Sequence, residues 1–215
     1  MNLDDLVLVS VDDHVIEPPD IFDGRISKRF VDQAPKVVRL DSGRQVWVYE
    51  GKECPNFALN AVAGKPPEEY NNDPSNYDDM RAGCYDVHER VADMNRNGVF
   101  ASMNFPSFPK FAGQTFLHGT DKDLAIECVR AYNDWMIDDW CGSYPDRLIP
   151  LCITPMWDPR LAAAEVERIA SKGAHAVTFP ENPAPLGLPS WLDPHWDPFL
   201  AACESTGTVV CLHIG

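Results

Sequence analysis

The chain has 215 residues, 45% of them hydrophobic and 24% charged, enough for a substantial buried core and not the composition of a disordered chain. Its 33 acids outweigh 18 bases, giving a formal charge of −15 with no basic run, which argues against a nucleic acid partner because polyanion binding needs clustered Lys and Arg. Seven cysteines, never spaced C-x-x-C, read as reduced core thiols of a cytoplasmic protein, and no apolar run approaches the ~20 residues of a membrane span.

The first element is Val7-Leu8-Val9-Ser10-Val11-Asp12-Asp13-His14, an apolar, β-branched run that predicts a buried strand presenting its polar groups at its end. Asp12 and His14 are two apart and project to one face of an extended chain, so a carboxylate oxygen and an imidazole nitrogen can converge on a metal ion. The plainer alternative is an Asp12 that caps a turn beside a hydrogen-bonded loop histidine. Glu17-Pro18-Pro19 then forbids a helix. From about residue 17 to 80 no long periodicity appears. Gln45-Val46-Trp47-Val48-Tyr49 reads as a strand of a small hairpin, and the Pro, Asn and Asp cluster from Gly64 to Asp79 as an irregular excursion. This stretch is expected to be an insertion that packs over the strand C-termini and shapes a substrate mouth.

Asp86 is the expected N-cap of a helix closed by Gly98, with Glu89 at the capping-box position. Val99 to Phe105 follows as a strand. Thr120 to Asp123 opens an amphipathic helix through Trp140, with Leu124, Cys128, Ala131, Trp135 and Met136 on its buried side. Leu148 to Ile153 is a strand, Asp158-Pro159 starts a helix, and Ala174 to Phe179 is another strand. Asp197-Pro198 repeats that start signal for a short helix, Phe199 to Glu204. Gly207 releases the chain into Thr208-Val209-Val210-Cys211-Leu212-His213, which again delivers a histidine at a strand's C-terminal end. Strands alternating with helices at intervals of about 30 residues predict βαβ units and a parallel sheet.

Four pieces, in this order and spacing, resemble the amidohydrolase-related family of metal-dependent TIM barrels. They are Ser10 to Pro19; Arg90-Val91-Ala92-Asp93-Met94 with Gly98 leading to Asn104-Phe105-Pro106-Ser107; Ala131-Tyr132-Asn133-Asp134 with Tyr144-Pro145-Asp146-Arg147-Leu148; and Leu212-His213. The branch resembled includes aminocarboxymuconate-semialdehyde decarboxylase and related aromatic-acid decarboxylases. That resemblance implies an α/β fold, a (β/α)8 TIM barrel, of which residues 1–215 supply about the first five strands and the insertion as one partial domain. It implies one divalent ion, Zn²⁺ or Mn²⁺, held by Asp12 and His14 of the first barrel strand and His213 of the fifth. Aspartate in the first position departs from the commoner His-x-His. The acid/base residues are expected beyond Gly215, in a longer chain that forms a homo-oligomer, and the 215 residues alone are expected to be inactive.

Barrel chemistry sits at the C-terminal ends of the strands. His118 and His195 fall in loops on that face and are candidate substrate contacts, as are Glu181 and Phe105, each with a surface or packing alternative. His175 begins a strand and His88 lies inside a helix, so neither is assigned chemistry. The expected partner is a small molecule, with neither nucleic acid nor membrane. The function implied is non-oxidative decarboxylation of a small unsaturated or aromatic carboxylic acid. The alternatives are metal-dependent hydrolysis of an amide, ester or lactone, and a non-catalytic binding protein on a degenerate barrel.

Overall fold

The computed structural model describes residues 6–54, 58, 61–70 and 74–213; residues 55–57, 59–60 and 71–73 of the expected insertion lie outside these. In chain order the strands are β1 (Leu8–His14), β2 (Lys36–Arg39), β3 (Gln45–Tyr49), β4 (Lys52–Cys54), β5 (Val99–Phe105), β6 (Leu148–Ile149), β7 (Ala176–Pro180) and β8 (Val209–His213). The α-helices are α1 (Val87–Arg96), α2 (Gln114–Leu117), α3 (Lys122–Asp134), α4 (Pro159–Ser171) and α5 (Asp197–Thr206). β1, β5 and β6 pair in parallel in that order, and so do β7 and β8. A parallel bridge from Cys152 to Val177 carries the first sheet onto the second. Successive strands of this parallel set are thus spatial neighbours linked by helical crossovers, as parallel pairing demands.

Helix starts follow the Asp signals with one exception. Asp86, Asp121 and Asp158 each accept hydrogen bonds from two backbone N–H groups of the first turn. At α5 the expected cap Asp197 is already helical. Asp193 instead caps a short 3₁₀ turn, Pro194–Trp196, which runs directly into the helix with Trp196 as its N-cap. α3 continues as a π-helix over Trp135–Cys141. It stops at Gly142, where a Cβ would lie 2.1 Å from the Asp138 carbonyl oxygen.

β6 is shorter than the expected Leu148 to Ile153, because Pro150 has no N–H for the ladder. Beyond it, Asn133 of α3 takes over the backbone pairing. Its Oδ1 accepts from Ile153 N at 2.9 Å, and its Nδ2 donates to Ile153 O at 2.9 Å and to Glu165 Oε1 at 2.7 Å. Glu165 is itself buried and paired with Arg168 at 2.7 Å.

β2, β3 and β4 form an antiparallel sheet of their own. It packs on the segment leaving the C-terminal end of β5: Trp47 stacks on Phe108 at 4.3 Å, and Phe22 meets the edges of Trp47, Phe108 and Phe116. All seven cysteines are free. Among the described residues no helix is long and apolar enough to cross a membrane.

Asn133→Ala would orphan the Ile153 N–H and C=O in a fully buried place. It should cost about 3 kcal/mol in urea denaturation, and a loss below about 1 kcal/mol would contradict this role.

Candidate metal centre

Between β1 and β5 the pairing steps from Ser10 opposite Ser102 to Asp13 opposite Asn104, which leaves one extra residue on β1. Such a bulge bends a strand end and re-aims its side chains. Asp13 is anchored toward β5: its Oδ2 accepts from Ser102 Oγ, which accepts from Asn104 Nδ2 at 2.9 Å, while Asn104 Oδ1 accepts from Trp140 Nε1 at 2.9 Å. Asp12 and His14 point elsewhere, toward His213 at the end of β8. His213 Nε2 stands 3.4 Å from Asp12 Oδ1, and His14 Nε2 stands 4.0 Å from it. One ligand atom from each of the three residues lies within 4.8 Å of the other two. Ligands at about 2.0–2.2 Å from a shared ion have donor atoms roughly 3 to 3.5 Å apart, so the nearer pairs stand at or close to coordination spacing.

Two phenylalanines wall the histidines. Phe105 lies 4.6 Å from the His213 ring and 5.9 Å from that of His14; Phe111 lies 4.4 Å and 5.0 Å from them. The His14 and His213 rings are 5.3 Å apart and nearly perpendicular. Burial, then the neighbouring His213, lowers the His14 pKa against the opposing pull of Asp12 and Asp13. A neutral imidazole with a free lone pair is the form that binds metal. Asp12 is the open side of the cluster, its side chain 72% exposed against 13% for His213.

The exit of β1 is stapled residue by residue. Arg90 Nη2 donates to His14 O at 2.6 Å, Val15 N to Phe105 O at 3.0 Å, and Ile16 N to Cys84 O at 2.9 Å. Glu17, fully buried, accepts from Ser107 N at 2.9 Å and Phe108 N at 2.8 Å, and its carbonyl accepts from Tyr77 OH at 2.6 Å. Burial pushes the Glu17 carboxyl up to about 7 although both N–H donors oppose this.

The other expected contacts divide. Phe105 is at the centre. His118 caps the end of α2 and lines a cavity of about 460 Å³, between β3–β4 and the segment after β5, that Phe111 also lines. Glu181 N donates to His213 O at 3.1 Å, while the Glu181 residue is exposed. His195 packs its ring on Trp196 at 4.7 Å, and the structure does not bring it into the Asp12, His14 and His213 cluster. His88 bonds Tyr144 OH and His175 bonds Thr206 O. Phe111 and Glu17 were not expected at the site from sequence. An acid set between Ile16 and two prolines was the available sign of Glu17; nothing local marks Phe111.

A sequence model of the amidohydrolase family matches residues 37–215. The chain belongs to the amidohydrolase family. This amidohydrolase-family chain shares its fold with an amidohydrolase of Mycobacterium avium subsp. paratuberculosis K-10, at a TM-score of 0.73 and 23% identity over 98% of this chain and 59% of that one. It is also similar to 5-carboxyvanillate decarboxylase of Novosphingobium aromaticivorans, solved with manganese and 4-hydroxy-3-methoxy-5-nitrobenzoic acid, at a TM-score of 0.58 and 20% identity over 98% of this chain and 51% of that one. A second structure of that enzyme, a D314N mutant, gives 18% identity at the same TM-score. The chain therefore spans between half and three fifths of the length of these solved relatives. No curated protein matches it. The likeness places the five parallel strands in a TIM-barrel type of α/β fold.

Glu17 yields a pH prediction. With a carboxyl raised from 4.5 to about 7, the folded state holds its proton more tightly than the unfolded state. This contribution to stability is fully present below about pH 4.5 and is lost as pH rises through about 7. In urea titrations the stability of the wild type relative to Glu17→Gln should fall by about 3 kcal/mol across that window. A pH-independent difference would contradict it.

Proposed function

We propose that these residues are the metal-binding part of a (β/α)8 amidohydrolase that removes carbon dioxide, without oxidation, from a small unsaturated or aromatic carboxylic acid. The observation that carries the reading is the convergence of Asp12, His14 and His213 from opposite ends of the chain. One carboxylate and two imidazoles suit a divalent ion, and the hard carboxylate favours Mn²⁺ more than an all-histidine set would, with Zn²⁺ the other candidate. An ion held there would supply a Lewis acid for an oxygen of the substrate. Phe105 and Phe111 would exclude water and offer their faces to an unsaturated ring. His118, Glu181 and His195 complete the proposed substrate contacts, His118 from the cavity behind Phe111. The substrate class is supported by the benzoic acid and manganese in the decarboxylase of similar fold.

Hydrolysis of an amide, ester or lactone is the second reading, favoured by the higher structural similarity to the mycobacterial amidohydrolase. The same three ligands would serve it, since a divalent ion also lowers the pKa of water.

Barrel closure belongs to the same proposal. Leu8, Val11 and Val209 are more than half exposed on β1 and β8, the outermost strands of the parallel set among the described residues. Unpaired apolar edges of this kind call for cover, and further strands of a longer, homo-oligomeric protein would supply it. Free thiols fit a reducing cytoplasm.

His213→Ala should abolish metal retention and turnover together in the full-length protein, by elemental analysis and by carbon dioxide release from a panel of aromatic acids. Metal retained at wild-type level in that variant would contradict the site. Lactone or amide cleavage without carbon dioxide release would select the second reading.

A further inference from the structure

We infer that Glu17 is a positioning residue for the His14 and His213 rings, acting through the two loops it joins. It sits three residues beyond His14, and its two carboxyl oxygens accept from two consecutive amide N–H groups, Ser107 and Phe108, just beyond Phe105. No ion pair to Glu17 exists among the described residues, although the side chain is wholly buried. An unpaired buried carboxylate is a costly way to fill a core. Holding two adjacent N–H groups at once is something an apolar side chain of the same size cannot do, and a neutral amide can do only by half, because one of its two ends is a donor.

The clamp controls the segment that carries both aromatic walls. Phe105 precedes the clamped peptides and Phe111 follows them, and each ring touches both histidines. On the other side, the His14 carbonyl is held by Arg90 and Val15 N by the Phe105 carbonyl. Glu17 therefore closes a loop of contacts running from His14 through the β1 exit to the β5 exit and back to the imidazole faces. Loosening it frees the walls to turn, and the rings with them. The link from this clamp to metal affinity rests on the reading of the two histidines as ligands proposed above.

The test uses Glu17→Gln, which keeps the volume but loses one acceptor, and Glu17→Asp, which keeps the carboxyl group but is one methylene short. Metal-free protein with labelled imidazoles is followed by NMR. The His14 and His213 resonances should move in both variants while those of His88 and His175 stay, and Co²⁺ should bind about tenfold more weakly with an altered visible spectrum, the size usual for lost support around a metal ligand. Unmoved His14 and His213 resonances in folded variants would overturn the inference. So would failure of both variants to fold, which would assign the carboxylate to the fold alone. A wild type that takes up no Co²⁺ would defeat the metal reading, and the metal-free spectra would still decide the clamp.

Discussion

Curvature of the parallel sheet is the constraint on which the rest depends. Five strands in a flat sheet would hold the first and fifth about 19 Å apart, yet the His14 and His213 rings at the ends of β1 and β8 are 5.3 Å apart. Only a sheet curled toward closure brings them together, and a barrel mouth is where such curling puts the C-terminal ends of strands. The bulge in β1 and the bonds from Arg90, Phe105, Cys84 and Glu17 at its exit then hold that strand end in one place.

Around that mouth, adjacent acids have opposite tasks. Asp13 is bound into a chain of Ser102, Asn104 and Trp140 behind the sheet, whereas Asp12 is left open beside two imidazoles. Asp13 thereby fixes the direction in which its neighbours point. Farther back, Asn133, held by Glu165, takes the Ile153 backbone groups beyond the gap that Pro150 makes in β6, while the Cys152 backbone carries the first parallel sheet onto the second.

Much of this was legible in the sequence. Apolar β-branched runs marked β1, β5 and β8 as strands, and Asp at three helix starts marked the caps, because both signals are local; β1, expected to be buried, instead has most of its residues exposed. The Asp-x-His spacing and the strand-end His213 named the converging side chains. What escaped is non-local. The Asp197-Pro198 signal yields to Asp193-Pro194, which begins the turn four residues earlier, and β6 stops short of Ile153 because Pro150 has no N–H for the ladder. Phe111 reaches the histidines only through the path of the loop after β5, and Glu17 meets Tyr77, Ser107 and Phe108, which lie 60 to 91 residues further on.

The central claim is that three side chains, two at the start of the chain and one near residue 213, share one cation. Crystals of the full-length protein grown with Mn²⁺ test it through anomalous scattering. A single strong peak about 2.0–2.2 Å from an Asp12 oxygen and from a nitrogen of each of His14 and His213 is the predicted result. A peak elsewhere, or His14 and His213 rings turned apart by more than about 8 Å, beyond any shared coordination sphere, would contradict it.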